Sequence, residues 1–216
     1  MMCHSFLEMA YRTTPKMMER KEVRREKLLA TAIRLFGRQG YHATTVPAIV
    51  ARAGSSIGGF YLYFRNKEDV FAAALEAVGE SIATALNDAI RAAGPEVLDQ
   101  MKAAIQALVR FLVEHPREAR ILIVESSGLG KRLETARRRV ISSHTRSVAQ
   151  ALGALAERLP PMETAVVANC WVGAVYEAVF QWLVEAPRKR IPAERLASAI
   201  TSFNLRGIGA PAHMLD

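Results

Sequence analysis

The chain has 216 residues, half of them apolar, with two cysteines and a formal net charge of +8. This length supports a substantial hydrophobic core without stabilising disulfides. Cys3 and Cys170 lie too far apart in sequence to indicate a disulfide framework or a CxxC metal site. No basic segment followed by an apolar run indicates secretion, and the most apolar window, residues 162–186, contains three glutamates, so we expect a cytoplasmic protein without a membrane span.

The excess positive charge is confined to the first third of the chain. Residues 12–67 contain twelve Lys and Arg residues against three Glu, whereas residues 68–216 contain seventeen basic and seventeen acidic residues. A localised basic region is typical of a nucleic-acid-binding module joined to a domain with a different task. The alternative is a solvated basic face without a partner.

The basic region begins with a tail and a helix. Residues 1–19 show no hydrophobic periodicity, which predicts a disordered tail. Met17 or Met18 is an equally good translation start, and either would leave the first 16 or 17 residues untranslated. From Arg20, apolar residues at helical spacing alternate with Lys and Arg, which predicts an amphipathic helix that ends at Gly40.

Two short helices are predicted next. Thr44-Thr45 offers an N-cap for a helix over residues 46–53, and Gly54 ends it. Residues 54–64, GSSIGGFYLYF, are uncharged and rich in aromatic side chains, and we interpret them as a short helix and not as a loop or a strand. Asn66 then caps a longer helix that begins at Lys67.

The remainder of the chain predicts only helices. The helix from Lys67 runs toward Gly94-Pro95, and Pro- and Gly-containing breaks separate five further helices, at about 96–114, 117–126, 129–158, 162–186 and 193–206. No segment alternates as a strand would. The predicted architecture is therefore all-α, with a tail over 1–19, a small domain over 20–66 and a larger domain over 67–216.

The three helices of the small domain follow the helix-turn-helix plan, in which the third helix enters the DNA major groove. Ser55 and Ser56 are predicted to cap this third helix and to offer hydroxyls to phosphates or base edges. Gly58 and Gly59 would let the backbone approach DNA closely, and Phe60 would anchor the helix on the core.

Residues 25–71 resemble the DNA-binding domain of the TetR family of bacterial transcriptional regulators. The resemblance rests on features spread over the whole segment: Leu35-Phe36, Gly40-Tyr41, Thr44-Thr45-Val46, Ile49, Ala53-Gly54, Ser56, Gly58, Tyr61, Phe64, Lys67 and Glu68. The sequence departs from the family at Ser55, Ile57 and Gly59, where valine, a polar or basic residue, and threonine or serine are usual. We therefore expect few direct base contacts, with Ile57 against a thymine methyl and either Arg52 or an arginine of the N-terminal arm as a hydrogen-bond donor. The complete predicted DNA-binding set is Thr44, Thr45, Arg52, Ser55, Ser56, Ile57, Gly58, Gly59, Tyr61, Tyr63 and Lys67.

The resemblance implies a homodimer on a near-palindromic double-stranded operator, and a C-terminal domain that binds a small inducer and dimerises. Dimerisation is predicted to use the last two helices, residues 162–186 and 193–206, with buried core of one subunit as the alternative. The predicted contact residues are Val167, Trp171, Ala174, Ala178, Phe180 and Leu183. The predicted ligand-binding residues are apolar apart from one arginine, with ordinary core as the alternative: Ile105, Leu108, Phe111, Leu112, Arg120, Ile121, Trp171 and Tyr176. Further polar candidates are His115, Glu125, His144 and Asn169.

The function expected from these features is that of a ligand-responsive, DNA-binding transcriptional regulator. We expect a repressor that a hydrophobic or acyl-type inducer releases from its operator; a DNA-binding architectural protein without an inducer is the alternative. No nucleophile has a base or orienting partner at meaningful spacing, and neither a phosphate loop nor an HExxH motif occurs, so we expect neither an enzyme nor a cofactor or metal. Cys170 is predicted to be an inert buried thiol rather than a redox sensor.

Overall fold

The computed structural model describes residues 15–210 and is helical throughout, with no strand in this range. The all-α prediction is confirmed. Within these described residues, nine α-helices follow one another in chain order, with one π-helical turn at Arg120–Glu125 and one short 3-10 turn at Pro187–Lys189: α1 Pro15–Ala43, α2 Val46–Ala53, α3 Ile57–Tyr61, α4 Lys67–Ala92, α5 Val97–Glu114, α6 Pro116–Ala119, α7 Lys131–Ala154, α8 Thr164–Val184 and α9 Ala193–Gly207.

The first helix is longer than predicted. Residues 15–19 belong to α1, so the predicted tail over residues 1–19 is too long by this turn, and its first 14 residues lie outside the described range. Gly40 breaks the helical geometry of α1 with φ 85° and ψ 168°, and this left-handed conformation favours glycine. The last three residues of α1 therefore continue beyond a kink at the position where the sequence predicts the end of the helix.

The small helices form where local chemistry satisfies their free backbone groups. Thr45 caps α2 by accepting a hydrogen bond from the amide of Ala48 at 3.3 Å, and Gly54 ends α2 in a left-handed conformation with φ 61°. Asn66 caps α4 by accepting from the amide of Asp69 at 2.8 Å. These predicted ends are confirmed, and they fix how α2, α3 and α4 follow one another.

One continuous core joins the three N-terminal helices to the C-terminal ones. The rings of Phe36 and Phe71 meet edge to face with centroids 4.8 Å apart, and Tyr41 packs against the same pair. Further along α4, Leu75 and Ile82 are fully buried, and this helix packs against α5 and α7. Helix α4 is therefore shared by the DNA-binding part of the fold and the larger bundle.

The C-terminal helices differ from the prediction mainly at their ends. The predicted helix over 117–126 is a short α6 that widens into the π-helical turn, and α7 ends at Ala154 instead of residue 158. A methyl group added at Gly37 of α1 would lie 2.5 Å from Cβ of Arg117, so the backbones of α1 and α6 are in close contact. A larger residue at Gly37 would push these helices apart.

Two polar links also hold the small domain on the bundle. The amide of Tyr41 donates to Oε2 of Glu125 at 3.1 Å, and Arg120 pairs with the same carboxylate at 2.9 Å. Asp69 in the first turn of α4 pairs with Arg132 of α7. Both links start within three residues of Lys67 or of the kink at Gly40, so they set the position of α3 relative to the larger domain.

Candidate nucleic-acid interface and ligand cavity

Helix α3 and the turn after it present an exposed surface made of small and aromatic residues. Ile57 is 45% exposed, Tyr61 55% and Leu62 73%. On the opposite side, Phe60 is completely buried and Phe64 nearly so, and their rings lie 5.5 Å apart. The helix is thus anchored by two phenylalanines while its outer face carries large apolar groups that no described residue covers.

The serines and glycines of α3 have distinct structural roles. Oγ of Ser56 caps the helix by accepting from the amide of Gly59 at 3.0 Å. A methyl group added at Gly59 would lie 2.9 Å from Oγ of Ser55, so this glycine leaves room for the serine. At Gly58 an added methyl would meet nothing within 4 Å. Space inside the protein therefore does not require glycine at position 58.

Most of the predicted DNA-binding residues lie on this exposed side. Thr45, Arg52, Ser55, Ser56, Ile57, Gly58 and Tyr61 are exposed, whereas Gly59 and Tyr63 are half-buried. Exposed arginines also flank α3 along the chain, Arg52 on α2 and Arg65 in the turn before α4. This surface thus has uncharged residues at its centre and positively charged arginine side chains on either side of them in the chain.

Two predicted contacts are engaged inside the domain. Thr44 is fully buried and donates its hydroxyl to the carbonyl of Gly40 at 2.7 Å, so its prediction as a DNA contact is wrong. The ammonium group of Lys67 donates to the carbonyls of Tyr41 and His42 at 3.0 and 3.4 Å and lies 4.3 Å from the centre of the Tyr41 ring. The charge of Lys67 therefore stabilises the end of α1, where helix carbonyls concentrate negative potential.

The larger domain contains a cavity of about 480 Å³ between α4, α5, α7 and α8. Its wall is mainly apolar, with Leu86, Met101, Ile105, Leu108, Trp171 and Val175 among its lining residues. The polar wall residues are Asn87, Gln100, Ser143, His144 and Ser147, and none of the described residues lining this cavity carries a carboxylate, an ammonium or a guanidinium group. A volume of this size suits a small-molecule ligand.

The structure brings only part of the predicted ligand set to this cavity. Ile105, Leu108 and Trp171 line it. Leu112 and Ile121 are fully buried in the core and do not line it, and Phe111 instead stacks on His115 with ring centroids 4.3 Å apart. Arg120 pairs with Glu125, and Tyr176 lines a second cavity, of about 430 Å³, beside α7. These five residues therefore do not line the main cavity, although Tyr176 lines the second one.

A buried polar pair stands at the wall of the main cavity. Nδ1 of His144 lies 2.9 Å from the hydroxyl of Tyr176, and the imidazole is 8% exposed. Burial lowers the pKa of His144, so its ring is uncharged at neutral pH. Burial also raises the pKa of Tyr176, against the positive charge of Arg137, so the phenol keeps its proton. The other polar candidates lie outside: His115 and Asn169 are exposed, and Glu125 holds Tyr41.

The predicted dimer residues of α8 divide between two environments. Trp171 and Leu183 are buried within the subunit, so their prediction as contacts with a second chain is wrong. Val167, Ala174, Ala178 and Phe180 are half-buried. The exposed face of α8 contains small residues, including Gly173 and Cys170, and Phe203 of α9 is 68% exposed. Cys170 is thus not the buried thiol that the apolar sequence around it predicts.

Sequence reasoning missed several residues of these surfaces. Leu62 is the most exposed large apolar residue near α3, but the aromatic residues around it suggest a core strand or helix as readily as a surface. The polar cavity residues Asn87, Gln100, Ser143 and Ser147 lie in amphipathic helices at positions that are indistinguishable from solvent-facing ones by sequence. Among residues 15–210, no helix has the length and apolarity needed to cross a lipid bilayer.

The sequence matches a known family across the small domain. Residues 28–74 match the model for bacterial regulatory proteins of the tetR family. The regulator YerO of Bacillus subtilis is 32% identical over 104 residues, which are 48% of this chain and 36% of YerO. The chain spans about a quarter to a half of the length of the curated relatives that it matches.

Solved structures share the fold over nearly the whole chain. A TetR-family transcriptional regulator from Syntrophomonas wolfei has 17% sequence identity and a TM-score of 0.75, covering 88% of this chain and 96% of its own. The transcriptional regulator FadR from Bacillus subtilis, solved in complex with stearoyl-CoA, has 18% identity and a TM-score of 0.74, covering 85% and 98%. At these identities the likeness establishes the common fold of both domains.

Proposed function

Because the chain belongs to the TetR family of bacterial transcriptional regulators, we propose that it is a repressor that a small hydrophobic or acyl-type inducer releases from a near-palindromic operator. The observation that carries this proposal is that one helix serves both candidate sites. Helix α4 begins beside α3 at Lys67, and its second half lines the cavity at Leu86, Asn87 and Ile90. At 1.5 Å per residue, Lys67 and Leu86 are about 28 Å apart along the helix.

The contacts at the start of α4 supply a route by which the cavity affects α3. This end of α4 contacts the last turn of α1 through Lys67 and Phe71, and it contacts α7 through Asp69. A ligand between α4 and α7 changes the spacing of these two helices, and these contacts transmit that change to the DNA-binding helices. A coupling free energy of about 1–3 kcal/mol is enough for a 5- to 150-fold change in operator affinity.

The proposal includes a homodimer because a near-palindromic site requires two copies of α3, roughly 34–36 Å apart on one face of the DNA. The exposed faces of α8 and α9 support this arrangement. A methyl group added at Gly173 on α8 would meet no atom within 4 Å, and Phe203 on α9 is exposed to solvent. Small residues allow close helix approach, and an exposed phenylalanine supplies apolar area for an interface.

An acyl-type inducer is supported by the composition of the cavity. The wall is apolar with a few neutral polar groups, which suits a long aliphatic chain better than a sugar or a nucleotide. The structural neighbour FadR from Bacillus subtilis was solved with stearoyl-CoA. We extend this ligand class to the present chain on the basis of the cavity.

The test begins with selection of DNA from a pool of random duplexes by the purified full-length chain. We expect a short enriched sequence with two inverted half-sites, bound by two chains per duplex in multi-angle light scattering. Recovery of no preferred sequence would favour the architectural alternative. A reporter gene carrying the selected sequence over its promoter then distinguishes repression, the expected result, from activation.

A further inference from the structure

Large apolar side chains are exposed on α3 and its C-cap. Ile57, Tyr61 and Leu62 are all exposed, and Leu62, which continues the helical turn with φ −69° and ψ −21°, is the most exposed of the three at 73%. At about 100° of rotation per residue, these positions and Gly58 share one half of the helix surface. Phe60 on the other half is completely buried. The exposed half therefore presents apolar groups that no described residue covers.

The side chain of Leu62 stays accessible because the position one turn earlier has no side chain. Side chains on a helix lean toward its N-terminus, so the residue at position 58 is a near neighbour of Leu62 on the same face. That residue is Gly58, and a methyl group added there would meet nothing within 4 Å. Within the described residues, nothing therefore blocks a group that approaches Leu62 over Gly58.

Helix α3 lacks the side chains that distinguish bases by paired hydrogen bonds. In the major groove, Arg and Lys read guanine, and Asn and Gln read adenine. Residues 53–64 contain no charged side chain and no side-chain amide. The serine and tyrosine hydroxyls of this segment donate to or accept from any of the bases, so they discriminate little. The groups with which α3 can distinguish one base pair from another are therefore apolar.

The apolar group that a base pair presents in the major groove is the C5-methyl of thymine. Residues 28–74 match a DNA-binding family, and exposed Arg52 and Arg65 flank α3 along the chain with the positive charge that a polyanionic partner requires. Resting on the proposed operator binding, we propose that Leu62 determines specificity and that it reads, together with Ile57, two thymine methyl groups in each half-site. Ile57 and Leu62 are about 7.5 Å apart along the helix axis, or about two base-pair steps.

The first experiment removes methyl groups from the DNA and leaves the protein unchanged. In the operator selected from random duplexes, each thymine is replaced singly by deoxyuridine, which pairs in the same way but lacks the methyl group. We expect fluorescence anisotropy to show about a fourfold loss of affinity at two positions of each half-site, the effect of one buried methyl group. The matched control is 5-bromodeoxyuridine, whose bromine is similar in size to a methyl group and should preserve the affinity.

Two outcomes of this experiment would overturn the proposal in different ways. A selected operator that tolerates deoxyuridine at every position would overturn the reading of methyl groups and leave the proposed operator binding intact. Recovery of no preferred sequence in the selection would overturn both.

The second experiment assigns one of the two methyl groups to Leu62. Leu62→Ala shortens an exposed side chain, so it should keep the melting temperature, lose about fourfold in operator affinity and lose nothing further from deoxyuridine at one position. Ile57→Ala should become insensitive at the other position. Leu62→Met retains an apolar side chain and should keep the sensitivity, as should Ile191→Ala, which changes an exposed apolar residue outside α3.

The result that would refute Leu62 as the reader is a full deoxyuridine effect at every position in Leu62→Ala. Sedimentation velocity without DNA tests the other occupant of this face, a second protein chain. We expect the same oligomeric state for Leu62→Ala and the unchanged chain. A changed state, combined with operator binding that is insensitive to deoxyuridine, would assign the face to a protein contact and overturn the proposal.

Discussion

A methyl group at Gly58 should raise stability and lower DNA affinity. Gly58 lies in the first turn of α3, and the side chain of alanine there would meet nothing within 4 Å. Replacing a helical glycine by alanine stabilises by about 0.5–1 kcal/mol. Because α3 has five residues, we expect the lower end, about 0.5 kcal/mol, which raises the melting temperature by roughly 1–2 °C in a protein of this size.

The same methyl group would stand on the face that we expect to approach DNA. Forcing an extra methyl into a close contact costs about 1–3 kcal/mol, so Gly58→Ala should weaken operator binding by about 5- to 150-fold. Fluorescence anisotropy with the selected operator measures this loss, and differential scanning calorimetry measures the stability. Gly153→Ala is the matched control, because Gly153 lies in α7 with equally open space and is far in sequence from the basic region. It should alter stability only.

Gly58→Ala should raise stability and lower DNA affinity, so a loss of DNA binding in this variant is not explained by unfolding. A variant that is more stable and binds the operator normally would refute the close approach of α3 to DNA. A variant that loses both stability and DNA binding would show that position 58 needs glycine for the fold, contrary to the open space around it.

Three further predictions test the links and faces around these sites. Asp69→Asn should lower the free energy of unfolding by about 1 kcal/mol at neutral pH, because the Arg65 amide and Arg132 lower the pKa of the Asp69 carboxyl. The carboxylate stabilises the fold only while it is ionised. The difference from wild type in urea unfolding should therefore stay constant above about pH 5 and shrink below about pH 4. Glu125→Ala removes the acceptor of the Tyr41 amide and should reduce the ligand-induced change in operator affinity by several-fold, and an unchanged response would show that coupling bypasses this link. Gly173→Arg should convert a dimer to a monomer in sedimentation velocity with little loss of helicity, whereas a persistent dimer would exclude this face of α8.

The sequence predicts the parts of the fold that depend on neighbours a few residues away. Thr45, Gly54 and Asn66 end or begin their helices through atoms within five residues, so composition and order alone identify them. The kink at Gly40 is predictable for the same reason. The resemblance of residues 25–71 adds the helix-turn-helix order, which the fold confirms.

Contacts between residues far apart in sequence determine which apolar residues fill the core and which line a cavity, and the sequence alone does not indicate this. Apolar residues on one face of a helix look alike whether they fill the core, as Leu112 and Ile121 do, or line a cavity, as Ile105 and Leu108 do. The partners of Lys67 are carbonyls about 26 residues earlier in the chain, brought close by the fold.

The same limit applies to His144 and Cys170. His144 is recognisable as a polar candidate, but its hydrogen-bond partner is Tyr176, 32 residues further on. Cys170 lies in a helix that is apolar on nearly every side, so sequence periodicity does not indicate which face is exposed.

The central claim is that the cavity and the DNA-binding helix are coupled through α4. The most direct measurement is the affinity of one acyl ligand for the protein with and without saturating operator, together with the affinity of the operator with and without saturating ligand. Thermodynamic linkage requires both ratios to be equal. The account predicts one common factor between about 5 and 150, with each partner weakening the other. A factor of one in both titrations would contradict it.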